Sequence, residues 1–282
     1  MKNIPSNVFS IIQDDIDKFR EYYKETLTSS VKLINTVIQY ISKRKGKQIR
    51  PILTLLGSRL CGEPNINTYR SAALVEILHV ATLIHDDVVD DAHLRRGIPS
   101  VNRIWKNKIS LLVGDYMFSK ALSNIIAIKD FDALHSLSIT AERLSQGEIL
   151  QIERAIKKEM SEEVYFKMVS DKTASLFSTA CELGAITTSE DSIKRSAMKK
   201  FGEKLGIAFQ VKDDLFDIMG NIESLGKPTG FDVKKNMLTL PLIHLFSKMN
   251  IKEKNKYKQK LKRYGRKNDY KSIRNMIYSN GG

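Results

Sequence analysis

The amino-acid sequence predicts an all-α fold, and three observations carry that prediction. Apolar residues recur at three- and four-residue spacing almost throughout, which places them on one face of successive helices. Runs of alternating β-branched residues are scarce, and no Asn-Gly or Asp-Gly pair joins two of them as a hairpin. The 6 prolines stand at segment edges: Pro51 precedes the apolar run Ile52 to Leu60, Pro64 and Pro99 fall in loops, and Pro241 restarts an apolar segment. Taken in order, helices are expected near 8–44, 51–60, 68–94, 109–127, 133–158, 161–185, 193–219 and 238–248. Loops are expected near Gly62 to Asn67, Arg95 to Ser100, Lys129 to Phe131, Thr188 to Asp191 and Asn221 to Lys235.

At 282 residues, 42% hydrophobic and 28% charged, the chain reads as an ordinary globular protein, and it can bury roughly 70% of its unfolded surface without a disulfide or metal staple. Cys61 and Cys181 are lone, which argues against a disulfide framework or a zinc site and for a reducing compartment. Met1 to Asn7 lacks the basic-then-apolar order of a signal peptide. The most apolar stretch, Ala72 to Ile84, is interrupted by Glu76, His79 and Thr82 and is shorter than the ~20 residues of a membrane span. A cytoplasmic location is expected.

Net charge is +14, so nucleic acid, an anionic membrane or a phosphate-bearing substrate each has to be weighed. Most of the excess is C-terminal: 12 basic residues lie between Lys248 and Arg274, against Glu253 and Asp269 alone. Lysines at alternate positions from 252 to 262 would spread round most of a helix, a pattern of a solvated surface rather than of a groove reader.

Two acidic motifs carry chemistry. In Leu83-Ile84-His85-Asp86-Asp87-Val88-Val89-Asp90-Asp91, Asp86 and Asp90 lie one helical turn apart on one face with Asp87 beside them. Carboxylates that close raise one another's pKa unless cations sit between them, and a divalent metal is the natural remedy. The order recurs in Gln210-Val211-Lys212-Asp213-Asp214-Leu215-Phe216-Asp217, again late in an apolar helix. Either cluster alone could be a solvated helix end. As a pair they could face each other across a helical bundle around metal and polyphosphate, and Mg²⁺ suits that task because it takes one or two carboxylates plus phosphate oxygens. Lys47 and Arg50, in Gly46-Lys47-Gln48-Ile49-Arg50-Pro51, stand just ahead of a helix start, where an anion is favoured. His79 lies two turns before Asp86; Lys172-Thr173 and Lys227 are plain in isolation.

The ordered motifs GKQIRP, HDDVVDD, RRG, KT, QVKDD and GKPTGFD, running from about residue 40 to residue 245, resemble the trans-isoprenyl diphosphate synthases, or polyprenyl synthetases, of long-chain type. The resemblance implies a single polyprenyl synthetase domain over residues 1–282, an all-α bundle of the isoprenoid synthase type around a central apolar cavity. It also implies a homodimer that condenses isopentenyl diphosphate with an allylic diphosphate using Mg²⁺. By position, Asp86, Asp90 and Asp213, and more loosely Asp87, Asp214 and Asp217, would hold Mg²⁺ around the allylic diphosphate, which Arg95 would also contact. Lys47, Arg50, His79 and Arg96 would hold the diphosphate of isopentenyl diphosphate. Lys172 and Lys227 would bind allylic phosphate oxygens, while Thr173 and Gln210 would present oxygen dipoles to the carbocation. The growing chain would run past Thr82, Ala81, Leu78 and Val75, and small residues at 81 and 82 imply a long product of the sort used for quinone side chains.

Two departures from the family pattern stand out. Asn236-Met237 replaces a common Gly-Lys, removing one phosphate-binding lysine for which Lys235 could substitute, and the chain stops at Asn280-Gly281-Gly282 where relatives continue through further helices. The expected domain is therefore open to truncation at that end. Rival readings fit less well. A class I terpene cyclase would replace the second Asp motif with a mixed Asn/Ser/Glu one and needs no second diphosphate site. A noncatalytic subunit would show degraded aspartates. Nucleic-acid binding explains the basic tail and leaves the aspartates unexplained, so no nucleic acid and at most peripheral membrane contact for product release are expected.

Overall fold

The computed structural model describes residues 10–43, 46–95, 97–157, 159–219, 238–266 and 270–279. Among these the helices are α1 (Gln13–Thr26), α2 (Lys32–Ser42), α3 (Ile49–Cys61), α4 (Ile66–Val89), α5 (Val101–Ile128), α6 (Phe131–Lys157), α7 (Glu162–Val169), α8 (Ser175–Ile186), α9 (Ser192–Met219), α10 (Leu240–Ser247), α11 (Ile251–Arg266) and α12 (Tyr270–Ser279). A π-turn, Ser170–Ala174, joins α7 to α8, and the two-residue strands β1 (Leu94–Arg95) and β2 (Ile98–Pro99) pair antiparallel. The all-α expectation holds. The single helix expected over 8–44 is two, because the chain leaves the helix after Thr26 and Asn35 ties the intervening turn by accepting from Ser29 N and donating to Ser29 O. The helix expected from 109 starts at Val101 and carries a kink at Lys106, where φ is 67°.

The chain divides into two compact units, residues 1–140 with 176–203 and residues 141–175 with 204–282. In the first, α1, α3 and α5 all pack on α4. Asn65 caps α4 by accepting from Asn67 N and Thr68 N, while Thr68 Oγ1 accepts from Asn65 N, a reciprocal capping box. Leu74, Val75, Ile77, Leu78 and Ala81 are buried almost completely on α4, as are Met117, Ala121 and Ile125 on α5 and Leu55 on α3. The antiparallel register of α4 and α5 is tied at both ends: Asn102 Nδ2 donates to Asp87 O, and Arg70 Nη1 reaches Ala127 O. α5 is also long and apolar enough to cross a membrane by length and composition, a property the sequence reading did not assign to it. Buried Asp15 of α1 accepts from Arg59 Nε at 2.8 Å and from Tyr69 OH at 3.0 Å, locking α1, α3 and α4 together.

The second unit has its own core, in which Tyr165, Met168, Val169 and Ile243 pack with Leu150, Phe166, Ile207 and Val211. The basic tail, for which no helix was expected, forms α11 and α12. Tyr257 of α11 packs on Leu242, Leu245, Phe246 and Ile277, while Lys252 and Lys256 remain exposed.

Candidate active site

The first aspartate motif closes α4. Asp90 caps the helix and Asp91 takes the left-handed conformation with φ 47°. Ala92 N then bonds to Asp87 O and Asp91 N to Val88 O, the two hydrogen bonds of a Schellman ending. An aspartate tolerates that conformation better than most residues, so the last acidic residue of the run serves the turn. The three remaining aspartates divide. Asp87 is buried and accepts from Arg95 Nε at 2.8 and 2.9 Å, with Arg95 Nη2 also 2.8 Å from Oδ1. Asp90 is exposed and Asp86 half-buried. Strands β1 and β2 hold Arg95 in place, helped by Ser100, which donates from N to His93 O and from Oγ to Ala92 O.

The cations expected to meet the second substrate lie in the same unit. Gln48, at φ 49°, turns the chain into α3, whose first turn takes Pro51 without loss of a helical donor. The Arg50 guanidinium stacks 4.7 Å over the Phe177 ring. Burial lowers its pKa to about 10, with Glu76 opposing, so it is charged at neutral pH. Glu76, buried on α4, also pushes Tyr23 up, after burial itself. Lys47 is exposed and His79 half-buried. Leu78 and Ala81 are fully buried, and Thr82 is half-buried with its hydroxyl on His79 O. Arg96, Lys227 and the Asn236-Met237 departure lie outside the described residues.

The second unit brings together Lys172, Thr173, Gln210 and the second aspartate motif. Lys172 pairs with Glu148 and donates to Gln151 Oε1 at 3.1 Å. Thr173 Oγ1 donates to Gln210 Oε1 at 2.9 Å, and Gln210 Nε2 to Asp214 Oδ1 at 2.7 Å. Asp214 is buried, with Tyr165 OH on its other oxygen at 2.6 Å, whereas Asp213 is exposed and Asp217 half-buried. Burial raises the Asp214 pKa, the hydrogen bonds from Tyr165 and Gln210 oppose that, and Asp213 and Asp217 add to it. π-turns recur at functional sites, and this one is pinned from outside. Arg143 donates to Asp171 at 2.8 Å and to Ser170 Oγ at 2.7 Å, and Lys167 donates to Asp171 at 2.9 Å.

The two motifs thus share one division: the middle aspartate is buried in protein hydrogen bonds and the flanking pair is more accessible. Both accessible pairs are all-oxygen donors one turn apart, a hard donor set that fits Mg²⁺. Among the described residues no three His, Cys, Asp or Glu side chains form a closed metal cage. Sequence reasoning missed Glu76, Glu148, Gln151 and Tyr165. Glu148 and Gln151, three apart after Gly147, share a helix face and were legible in principle, whereas nothing local marks Tyr165 as the partner of a residue 49 positions away.

The fold and these residues together define an all-α enzyme of the isoprenoid synthase kind, a prenyltransferase. Residues 31–277 match the polyprenyl synthetase family, and the chain belongs to it. It is 33% identical over 238 residues to the all-trans-nonaprenyl-diphosphate synthase (geranyl-diphosphate specific) of Rhodobacter capsulatus, covering 84% of this chain and 73% of that protein. It is 36% identical over 220 residues to the octaprenyl diphosphate synthase of Escherichia coli strain K12, covering 78% and 68%. The crystal structure of a decaprenyl diphosphate synthase from Rhodobacter capsulatus matches with a TM-score of 0.88 at 32% identity, over 98% of this chain and 85% of that one.

Proposed function

We propose that this chain is a Mg²⁺-dependent synthase that joins isopentenyl diphosphate head-to-tail to an allylic diphosphate, giving a long-chain all-trans polyprenyl diphosphate of the sort used for quinone side chains. The observation that carries the reading is the shared division of the two aspartate motifs, with Asp86 and Asp90, and Asp213 and Asp217, more accessible than the buried Asp87 and Asp214. Asp86, Asp90 and Asp213 would hold Mg²⁺, which when bound neutralises the allylic diphosphate and the charge that grows on it. The allylic C–O bond breaks with its electron pair on the diphosphate. The terminal double bond of isopentenyl diphosphate then supplies the pair for the new carbon–carbon bond, and a proton leaves the neighbouring CH₂ for the departing pyrophosphate. Lys172 and Lys227 bind the allylic diphosphate, and Lys47, Arg50, His79 and Arg96 that of isopentenyl diphosphate. Arg95, tied to Asp87, adds its charge beside the first motif. Thr173 and Gln210 offer dipoles to the cation. The catalytic domain comprises both units.

Incubation with labelled isopentenyl diphosphate, farnesyl diphosphate and Mg²⁺, with a chelator as control, tests this directly. Products longer than geranylgeranyl diphosphate are expected, and none with chelator; failure to incorporate label would end the reading, and products no longer than geranylgeranyl would end its long-chain part.

Chain length offers a sharper test. Leu78 and Ala81 are buried along α4 one to two turns before Asp86, with Thr82 half-exposed beside them. Ala81→Phe is expected to shorten the product while condensation continues. A purely structural Ala81 would instead show its ~1–3 kcal/mol of overpacking in a melting curve with product length unchanged.

A homodimer is supported by a stripe on α5. Leu111, Leu122 and Ile126 are between 41% and 66% exposed, Phe118 lies in line with them, and Phe131 at the start of α6 is 89% exposed. Exposed apolar side chains aligned on one helix face suit an interface, and a second copy presenting the same face would cover them symmetrically. Leu122→Glu is expected to give a monomer by light scattering, and a wild-type protein already monomeric at micromolar concentration would exclude the dimer.

A further inference from the structure

A chain of three hydrogen bonds runs from a buried phenol to the hydroxyl of the Lys172-Thr173 pair. Tyr165 OH donates to Asp214 Oδ2, Gln210 Nε2 to Asp214 Oδ1, and Thr173 Oγ1 to Gln210 Oε1, at 2.6, 2.7 and 2.9 Å. Each link has a direction. Gln210 turns its NH₂ toward Asp214 and its carbonyl toward Thr173, an orientation set by its two hydrogen-bond neighbours. That carbonyl only accepts in its turn, so the Thr173 proton is committed to Gln210 and the hydroxyl's lone pairs face elsewhere. A hydroxyl without such a commitment rotates, and its proton would then present the wrong end of the dipole to a growing cation.

We propose that Asp214, held by Tyr165, is a polarity anchor that fixes Gln210 and presents Thr173 as an acceptor to the allylic cation. The inference rests on the prenyl-transfer reading and assigns to Asp214 and Tyr165 a positioning role in place of metal binding. Tyr165 is 1% exposed, edge-on to Phe166 at 5.4 Å and packed with Met168, Val169 and Ile243. Its hydroxyl occupies the second oxygen of Asp214. Without it that oxygen has no other hydrogen-bond donor among the described residues, and the carboxylate is released to rotate toward water.

The test is a double-mutant cycle on the full-length protein with Mg²⁺ and both substrates. Tyr165→Phe keeps the ring and removes only the hydroxyl; kcat is expected to fall about tenfold, while the KM for isopentenyl diphosphate and the Mg²⁺ concentration at half-maximal rate stay within about twofold. In a Thr173→Val background the same change should lower kcat less than about twofold, because the group it orients is gone. Asp214→Asn, which preserves shape but lets the amide chain reverse, should repeat both results and serves if Tyr165→Phe does not fold. Additive losses, or a raised Mg²⁺ requirement in either variant, would overturn the anchor while leaving the prenyl-transfer reading intact. An inactive wild-type protein would instead overturn that reading and the anchor with it.

Discussion

Asp86→Ala is expected to lower turnover at least ~10³-fold with the fold retained. On the proposed reading, the metal charge that Asp86 would help to hold would stabilise the departing diphosphate by several kcal/mol, and each ~1.4 kcal/mol is a factor of ten in rate. Its neighbour should behave in the opposite sense. Asp87→Ala strips the carboxylate from Arg95, and breaking a buried pair costs ~3–5 kcal/mol, discounted to about 2–3 because the Arg95 side chain is 32% exposed. Turnover assays and chemical denaturation on the same two proteins separate the roles. If Asp86→Ala kept near-normal turnover, its place as a metal ligand would be lost. A fully stable Asp87→Ala would mean that the Arg95 bond contributes little.

The second large effect is expected at Gly147, on α6 beside the π-turn. A Cβ there would stand 2.6 Å from Lys172 N and 2.9 Å from Lys172 Cα, both backbone atoms that cannot swing aside. Helix propensity favours Ala over Gly by up to ~1 kcal/mol, whereas overpacking costs ~1–3 kcal/mol, so the clash decides the sign. Gly147→Ala should therefore melt earlier and lose most of its turnover, because whatever relieves the clash displaces Lys172 and Thr173. Unchanged kinetics at unchanged stability would show that α6 shifts at no cost.

The sequence showed the helical class, the α4 terminus and both aspartate motifs, because a 3.6-residue period and a one-turn spacing are local properties. It did not show which aspartates are committed to the protein. The partner of Asp87 lies eight residues on, past the left-handed ending of α4, and that of Asp214 lies on a different helix. The kink at Lys106 and the break after Thr26 were likewise hidden, since apolar residues continue on both sides and only the backbone reveals the interruption. The tail helices were missed because Tyr257 and Ile277 are sparse apolar marks in a lysine-rich stretch, and their value appears only once Leu242, Leu245 and Phe246 are seen beneath them.

The π-turn at Ser170–Ala174 also bears on how this chain can vary in length. A π-turn holds more residues per turn than an α-helix, so removing one residue lets the segment relax into an uninterrupted α-helix. The wider turn takes up the extra residue locally, so such a deletion would leave the flanking α7 and α8 in register and shift only the residues of the turn itself. Thr173 would leave Gln210, or Asp171 would leave Arg143. Surface loops absorb insertions and deletions readily, whereas here, in the middle of a regular-looking helix, the residue count itself is under constraint.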